Sequence, residues 1–496
     1  MLPMQKNENL STILNMLGAL TLVMGGLLIL PVFFAIAIKE YDVISSFLIS
    51  AAIALFVGSL LKFFFKYYRV QFKESMLICG LAWILLCIFA AIPFFLTTDK
   101  SFLDSYFETV SGFTTTGITI YTDIESLSKT IILWRSFTQW LGGLGIITFF
   151  LAISASSGSS FSNLLSAESH KIDSTRLTPS VKKTAIILWG VYIGLSVIQI
   201  ITLRILGMSS FDSVNHTMTA LSTGGFSPYD ASINYYYLAG YKNYKAIEYA
   251  LTFFMFLGGM NFVLHYKLLI GNLKEYFGNR ELQTYFIIVI TTTALIVFNI
   301  YYKSGLNRNY YGEESFRKSI FTVVSIVTTT GFGTEDINNP YFPAFAKQVF
   351  LLLMVVGGCI GSTAGGIKVQ RVIILFRLFV RQIKKLRLPR TALSYVKYEG
   401  ELVSLNELQR ITGLFIGWLM FLIVGGFITS FFTDLDAWQS FSGMFSAMGN
   451  IGPCYFSVDT MSKLPAVVKI TYIVGMLAGR LEILPILLIF SRKAWK

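Results

Sequence analysis

The chain has 496 residues, of which 54% are hydrophobic and only 14% are charged. Soluble proteins carry about a quarter charged residues, so this composition excludes an ordinary soluble domain, a disordered chain and a coiled coil, and indicates a lipid bilayer as the main solvent. The net charge of +13 would favour nucleic-acid binding in a soluble protein. Here the basic clusters lie beside long apolar runs, so we predict no nucleic-acid partner.

Ten apolar runs recur along the chain, each of the order of the 20 or so residues that a helix needs to cross a bilayer. In chain order they are residues 13–38, 43–61, 75–98, 136–155, 184–203, 249–266, 282–302, 348–367, 411–433 and 465–490. If the N-terminus is cytoplasmic, the basic clusters fall in the gaps that face the cytoplasm, in agreement with the positive-inside rule. The largest cluster consists of Arg377, Arg381, Lys384, Lys385, Arg387, Arg390 and Lys397. The sequence therefore predicts an all-α polytopic membrane protein with ten transmembrane helices.

Four further stretches, all in gaps on the outer side, are moderately apolar but too short to cross. They are residues 101–119, 209–228, 315–334 and 436–454, and they align without gaps on the glycines Gly117, Gly225, Gly331 and Gly452. Each has a serine twelve positions before the glycine, a hydroxyl residue six before it, and threonine or asparagine two before it. One such loop alone would indicate a helix C-cap. Four in one register indicate a repeated unit of helix, re-entrant pore loop and helix.

The repeat divides the chain into an N-terminal helical hairpin and four pseudo-repeats around a central pore. We predict the two-helix hairpin at 1–70, pore repeat 1 at 71–170, pore repeat 2 at 171–280, pore repeat 3 with the basic cytoplasmic loop at 281–400, and pore repeat 4 at 401–496. Four equivalent loops in one chain imply a pseudo-fourfold axis on which their backbones converge.

Such convergence suits the dehydration of a monovalent cation, because rings of backbone carbonyl oxygens replace its hydration shell. Successive carbonyls face one axis only if one residue adopts dihedrals that a Cβ forbids, which accounts for the glycine at a fixed position. The short helices would direct the negative ends of their dipoles at the cation, and side-chain hydroxyls would brace the loops from behind. The predicted ligands are the carbonyls of Thr115, Thr116, Gly117, Thr223, Gly224, Gly225, Thr329, Thr330, Gly331, Asn450, Ile451 and Gly452.

Several motifs are similar to those of one family. They lie at residues 111–117, 134–136, 142–145, 222–227, 328–333, 357–368, 450–453 and 479–482. With them the chain resembles the Trk/Ktr/HKT superfamily of potassium transporters, and within it the bacterial Trk-type pore-forming subunit. The resemblance implies potassium as the transported ion, no organic cofactor, a homodimer in the bacterial cytoplasmic (inner) membrane, and a cytoplasmic ring of regulatory subunits that bind NAD or ATP.

The resemblance also bears on selectivity. In this superfamily glycine in all four loops goes with potassium selectivity, and Gly117 meets that requirement in the first loop. The fourth loop departs from the other three because Asn450 stands in place of threonine. No loop carries a full Thr-Val-Gly-Tyr-Gly, so we expect a shorter filter that also passes rubidium and some sodium.

The eighth apolar run is rich in glycine between residues 357 and 366, which does not favour a continuous helix. Close helix packing through small residues is one interpretation; the resemblance implies an intramembrane loop that moves as a gate. Arg480 lies within the last apolar run, where a charge must face protein or water. It is either part of a structural ion pair or, as the resemblance implies, an electrostatic barrier below the filter. The predicted gate residues are Gly357, Gly358, Gly361, Ser362, Thr363, Gly365, Gly366 and Arg480.

These features predict potassium uptake through a gated, channel-like single-chain pore. The alternatives are a symporter coupled to protons or sodium, and a less selective pore for potassium and sodium. A membrane enzyme is disfavoured because the chain has three histidines and almost no acids within its apolar runs. Six acids on the outer side either concentrate cations at the mouth or are ordinary solvated charges. They are Asp104, Glu108, Asp212, Asp230, Glu335 and Asp336.

Overall fold

The computed structural model describes residues 2–68, 72–145, 181–303, 312–387, 389 and 394–495. The second half of the predicted fourth span and Arg390 of the basic cluster lie outside these residues. Helices make up most of the described chain, and one pair of two-residue strands, Lys397–Tyr398 and Glu401–Leu402, accompanies them.

The first half of the described chain contains thirteen α-helices. They are α1 Leu2–Leu27, α2 Leu30–Ile38, α3 Ile44–Phe64, α4 Phe72–Thr97, α5 Phe102–Phe113, α6 Lys129–Leu144, α7 Val181–Ile205, α8 Ser210–Leu221, α9 Tyr235–Leu238, α10 Tyr244–Gly258, α11 Phe262–Leu269, α12 Leu273–Gly278 and α13 Arg280–Lys303. The second half of the described chain continues with eight more. They are α14 Glu313–Val327, α15 Ala344–Val355, α16 Val369–Lys385, α17 Leu405–Phe432, α18 Ala437–Gly449, α19 Val458–Ser462, α20 Ala466–Arg480 and α21 Leu484–Phe490.

Within the described residues, six helical stretches are long and apolar enough to cross a membrane. They are Glu8–Ile38, Tyr41–Phe64, Lys73–Thr97, Lys183–Ile205, Arg280–Lys303 and Leu405–Phe432. The bent pair α10 and α11, with 101° between its halves, makes a seventh if it is counted as one span. These seven coincide with predicted spans one, two, three, five, seven, nine and six. Large apolar side chains are exposed along α3, α7, α13 and α17, as lipid contact requires.

Several spans that the sequence predicts as continuous are interrupted. Between α1 and α2 the chain turns just before Pro31, which lies in the first turn of α2. The sixth span breaks at residues 259–261, the eighth at 356–368 and the tenth at 481–483. In the tenth, Glu482 and Ile483 have positive φ angles of 59° and 69°, which a continuing helix does not allow. Helices lie within these predicted runs but are not continuous, because hydropathy does not register a change of backbone direction.

The first two long helices pack through glycines. A Cβ on Gly18 would lie 2.9 Å from the carbonyl oxygen of Gly58, and a Cβ on Gly58 would lie 2.9 Å from that of Gly18. Such small-residue contacts allow helix backbones to approach closely where lipid offers no hydrophobic driving force. Helices α1 and α3 are therefore a closely packed pair.

Four short helices, α5, α8, α14 and α18, occupy the predicted re-entrant stretches. They have 12, 12, 15 and 13 residues, and at 1.5 Å per residue they reach only about 18–23 Å, short of the roughly 30 Å hydrocarbon core. Side chains of Ser101, Ser209 and Asp436 cap α5, α8 and α18 by accepting backbone N–H groups. The caps fix where these three helices start, and thereby where their C-terminal loops lie.

Candidate functional site

All four short helices end in the same hydrogen-bonded turn. The backbone oxygen of the residue six before each glycine accepts the N–H group of the residue just before that glycine, at 2.8 Å in the first three loops and 3.0 Å in the fourth. The accepting oxygens belong to Ser111, Thr219, Ser325 and Ser446. The N–H group of the glycine itself donates to the same backbone oxygen in the first three loops and to the Ser446 hydroxyl in the fourth. The hydroxyl positions of the sequence repeat therefore mark the turn.

The backbone conformation of the four loops is also the same. The residue two before each glycine is left-handed, with φ of 52° at Thr115, 56° at Thr223, 58° at Thr329 and 55° at Asn450. The glycines follow with φ of 80°, 78°, 84° and 108°. Threonine rarely adopts a left-handed conformation, which costs it roughly 1–2 kcal/mol. Its occurrence at three equivalent positions shows that the surrounding structure enforces this geometry.

The loops contact one another in cyclic order. A Cβ placed on Gly117 would lie 2.2 Å from the oxygen of Gly224, and one on Gly225 would lie 1.9 Å from that of Thr330. A Cβ on Gly331 would lie 1.8 Å from the oxygen of Ile451, and one on Gly452 would lie 3.1 Å from that of Thr116. The first loop thus meets the second, the second the third, the third the fourth, and the fourth the first. We call residues 115–117, 223–225, 329–331 and 450–452 the four-loop ring.

The carbonyl groups of the ring are sparsely hydrogen-bonded. Because peptide bonds are trans, a carbonyl points away from the N–H group of its own peptide unit. The N–H groups of the second and third residue of each loop point towards the short helices, so the carbonyls of the first and second residue point the other way. Among the twelve predicted ligand carbonyls, only that of Gly224 accepts a hydrogen bond from another described residue. Buried carbonyls usually have a partner, so this ring presents oxygens that are free to bind something else.

Hydroxyl groups support two of the loops from behind, and an amide supports a third. The hydroxyls of Thr114 and Thr116 lie 2.7 Å apart, as do those of Thr328 and Thr330. In the fourth loop the Asn450 side chain donates to the Thr116 hydroxyl and to a backbone oxygen of α20, both at 2.9 Å. The asparagine that departs from the threonine pattern therefore joins the fourth loop to the first.

A cavity opens onto the glycine end of the ring. Its volume is about 440 Å³, and the glycines of all four loops line it together with Asp230, Glu335 and Asp336. The other three outer acids have different roles. Asp104 pairs with Lys469, Asp212 accepts a hydrogen bond from Tyr229, and Glu108 is fully buried against Arg135. Only half of the predicted outer acids therefore face the cavity.

The opposite end of the ring is covered by residues 356–368, which we call the glycine loop. Its two ends close on each other, since Gly357 N donates to Ile367 O at 2.9 Å. The Thr363 hydroxyl donates to the end of α8 at Leu221 O (2.8 Å), and Gly365 N donates to the Thr329 hydroxyl at 2.7 Å. A Cβ on Gly365 would lie 2.7 Å from the Asn450 Cβ. The Thr223 hydroxyl also donates to the Thr363 hydroxyl at 3.3 Å, so the loop packs directly against the second, third and fourth loops.

Arg480, at the C-terminus of α20, holds the glycine loop from the side. Its guanidinium donates to Thr363 O at 2.5 Å, to Gly143 O at 2.9 Å and to Gly142 O. Glu482 pairs with Arg371 at 2.8 Å. The structure therefore brings all predicted gate residues to one place beneath the ring, and it places Arg480 on backbone carbonyls of two separate segments.

Two supporting residues were not identified from the sequence. One oxygen of the Glu281 carboxylate, which is only 4% exposed, accepts the N–H groups of Ile360 at 2.9 Å and Gln370 at 3.0 Å, and so grips the glycine loop and the start of α16. Gln139 of α6 contacts the second loop. The only sequence signals are an acid at the edge of an apolar run and a glutamine inside one.

Among the described residues, the two histidines and the cysteines do not contribute to the ring or the glycine loop by a metal-binding cluster. His216 packs its ring against Tyr236 and Phe332, and His265 Nε2 lies 3.0 Å from Leu257 O. None of the four cysteines, all of which lie in the described residues, forms a disulfide. No cluster of potential metal-binding side chains was found among the described residues.

Comparison with known proteins identifies the family. The family model TrkH, described as a cation transport protein, matches residues 43–496. The chain is 31% identical to the Trk system potassium uptake protein TrkH of Salmonella typhimurium and 30% identical to that of Escherichia coli K12, covering 98% of this chain and 99% of each relative. The crystal structure of the potassium transporter TrkH from Vibrio parahaemolyticus superposes with a TM-score of 0.85 at 26% identity, covering 98% of this chain and all of that one. The resemblance drawn from the motifs is thus confirmed: the chain is a multi-pass membrane protein of the TrkH family of cation transporters.

Proposed function

We propose that this protein takes up potassium through a gated pore formed by a single chain, with the four-loop ring as its selectivity filter. The relatives from Escherichia coli and Salmonella typhimurium are named potassium uptake proteins, and this chain matches 99% of the length of each. The observation that carries the proposal is the cyclic contact of four loops that share one backbone conformation and leave eleven of twelve carbonyls without a donor among the described residues. Such oxygens replace the water around a dehydrated monovalent cation.

The short helices add to this ligand field. Each ends in the turn that leads into the ring, so the negative end of its dipole lies next to the proposed ion path. The twelve filter residues carry no titratable side chain. An uncharged carbonyl ring binds a monovalent cation without trapping it, which favours conduction over a symport mechanism that needs a titratable group in the path.

The glycine loop and Arg480 would form the gate. The loop contacts the ring at its left-handed residues, on the side away from the cavity, so a cation that leaves the ring meets the loop next. Arg480 adds a positive charge there and fastens the loop to α6. Opening therefore requires that the loop leave the ring and that Arg480 release its backbone partners.

The surrounding architecture and partners are part of the same proposal. It comprises ten spans, four pseudo-repeats with the domain boundaries given above, and a cytoplasmic N-terminus in the bacterial inner membrane. We also infer a homodimer and a cytoplasmic ring of nucleotide-binding subunits. Helix α16, which follows the glycine loop directly, ends in Lys384 and Lys385, so a partner bound to this basic segment would be close enough to move the gate.

Growth of a potassium-uptake-deficient bacterium on low potassium tests the function. We expect the intact chain to restore growth, and we expect Gly117→Ser and Gly331→Ser to weaken the preference for potassium over sodium. Gly190→Ser in α7 is the matched control, because a Cβ at Gly190 would meet nothing within 4 Å. Rescue by the intact chain with an unchanged ion preference in both filter variants would refute the filter. Absence of rescue by well-expressed protein, supplied with a regulatory partner, would refute potassium uptake.

A further inference from the structure

The second loop of the ring lacks a side chain where the other three have one. The residue just before the conserved glycine is Thr116, Thr330 or Ile451 in three loops, but Gly224 in the second. A Cβ on Gly224 would lie 2.4 Å from Cδ of Gln139. The amide of a residue from α6, 85 positions earlier in the chain, therefore fills the space that a side chain of the second loop would occupy.

Gln139 makes two hydrogen bonds to the second loop. Its Nε2 donates to Gly224 O at 2.6 Å, and its Oε1 accepts the N–H group of Phe226 at 3.0 Å. Gln139 is fully buried. The first bond engages the one ring carbonyl that has a donor among the described residues, so Gln139 both orients this oxygen and competes with a cation for it. The second fixes the chain just beyond Gly225.

Arg135, one helical turn before Gln139, extends the same contact. It donates to Ser227 O at 3.2 Å, and its guanidinium lies 4.2 Å from the ring centroid of Phe226. Residues four apart lie on one face of a helix, so α6 presents both side chains to residues 224–227. Three backbone groups in this segment are hydrogen-bonded from one helix face.

The position of Arg135 is itself fixed by Glu108 of α5. Arg135 Nε and one terminal nitrogen donate to the same Glu108 oxygen at 2.9 and 2.8 Å, and the two side chains are 1% and 0% exposed. Glu108 also accepts the Thr119 hydroxyl at 2.9 Å and Ile120 N at 3.0 Å, just after the first loop. One buried cluster therefore holds the segments that follow both the first and the second loop.

We propose that Gln139 and Arg135 are positioning residues that set the geometry of the second loop and thereby tune ion discrimination, an inference that rests on the proposed filter. The four loops are not supported in the same way. Loops one and three are supported by hydroxyl pairs of their own, whereas loop two depends on an amide from a neighbouring helix. Loss of this amide should alter selectivity specifically, without removing any of the predicted ligands.

The test measures the potassium-to-sodium permeability ratio from reversal potentials of the purified full chain, with its regulatory partner, in liposomes. Gln139→Leu keeps the side-chain size and removes both hydrogen bonds. We expect this variant to change the ratio by about threefold or more, the effect of losing one to two neutral hydrogen bonds. Gln199→Leu is the control, since Gln199 is also a buried glutamine, and its amide makes no hydrogen bond to the described residues.

Substitutions at Gly224 and Gln139 together test the same contact if Gln139→Leu fails to fold. Gly224→Thr alone should be severely impaired because its Cβ would clash with Gln139. Gly224→Thr combined with Gln139→Ser makes loop two resemble loops one and three, and should regain selective transport. Arg135→Lys keeps the charge but loses the two-nitrogen contact with Glu108, and should shift the ratio in the same direction as Gln139→Leu.

Two results would overturn the inference: a wild-type ratio in folded Gln139→Leu, or no recovery in the double variant when Gly224→Thr alone is folded but impaired. Failure of the proposed function itself is distinguishable. In that case Gly331→Ser would also leave the ratio unchanged, or the wild type would show no preference for potassium. A shift in Gly331→Ser without one in Gln139→Leu would refute the role of Gln139 alone.

Discussion

Replacement of each of the four aligned glycines, Gly117, Gly225, Gly331 and Gly452, by alanine should damage ion discrimination to different extents, and the structure predicts the order. The added Cβ would lie 1.8 Å from a backbone oxygen of the next loop at Gly331, 1.9 Å at Gly225, 2.2 Å at Gly117 and 3.1 Å at Gly452. All four glycines have positive φ, so each alanine suffers backbone strain. The variants therefore differ mainly in the clash.

The size of the clash can be estimated from ordinary contact distances. A carbon normally approaches a carbonyl oxygen to about 3.3 Å, so Gly331→Ala requires a displacement of about 1.5 Å and Gly452→Ala one of about 0.2 Å. The obstacle is backbone in every case, which does not move aside as a flexible side chain would. Backbone strain costs about 1–3 kcal/mol at each site. We expect Gly331→Ala and Gly225→Ala to lose discrimination, and Gly452→Ala to retain a preference for potassium about tenfold or more above theirs.

Reversal potentials in mixed potassium and sodium, measured on purified protein with its regulatory partner in liposomes, provide the assay. Size-exclusion profiles establish that each variant is folded, and Gly413→Ala in α17 is the control because a Cβ there would meet nothing within 4 Å. The reasoning would be refuted if Gly452→Ala lost discrimination while Gly331→Ala kept it. Equal, wild-type ratios in all four variants would refute the ring as the filter.

Three further predictions concern the two ends of the ring. Arg480→Gln should raise potassium flux in the absence of any regulatory partner, because it removes the positive charge and weakens the hold on Thr363 O and Gly143 O. Glu281→Ala should also raise this flux by freeing the N–H groups that the carboxylate grips, whereas Glu281→Gln retains an accepting oxygen and should stay close to wild type. Burial raises the pKa of Asp230, so this carboxylate is neutralised at a higher pH than an ordinary aspartate. Uptake at low ionic strength should therefore fall as the outer pH drops, and Asp230→Asn should reduce both the uptake and its pH dependence.

Each of these outcomes has a counterpart that would contradict it. Tracer flux of rubidium into liposomes that is unchanged or lower in Arg480→Gln would exclude Arg480 as a barrier. Equal flux in Glu281→Ala and Glu281→Gln would show that the carboxylate oxygen does not hold the glycine loop. If the effect of Asp230→Asn persisted undiminished at high salt, long-range attraction of cations would not be its cause, since salt screens such attraction.

The repeat was visible in the sequence because a backbone requirement leaves a mark at fixed positions. Each loop needs a glycine where the carbonyl of the next loop leaves no room for a Cβ. In three of the four loops, the backbone oxygen of the residue six positions earlier accepts two N–H groups of the loop. Both constraints act over seven residues of one chain. The repeated pattern of residues therefore sufficed to locate the four loops in the sequence and to predict that they converge.

The supporting contacts could not be predicted in the same way. Gln139 reaches Gly224 across 85 residues, and Glu281 reaches Ile360 across 79. Nothing in the local sequence distinguishes this glutamine from Gln199 in another apolar helix, or Glu108 from an outer acid that attracts cations. Such assignments depend on which helices pack side by side, and one sequence alone does not give that information.

The breaks in the helices were also only partly predictable from the sequence. Hydropathy predicts the eighth and tenth runs as continuous helices, but the chain leaves the helix at Val356 and again at Leu481. The glycines after Val356 indicated the first break. The second break depends on the positive φ angles of Glu482 and Ile483. Both residue types occur commonly in helices, so the sequence does not indicate this break.

Anomalous scattering from rubidium tests the central claim most directly. In crystals of the full chain grown in rubidium, the ion should lie on the axis of the four-loop ring, within bonding distance of carbonyl oxygens such as those of Thr115, Thr223, Thr329 and Asn450. Rubidium bound only at the acidic residues of the outer cavity, with none in the ring of a protein that transports it, would contradict the account.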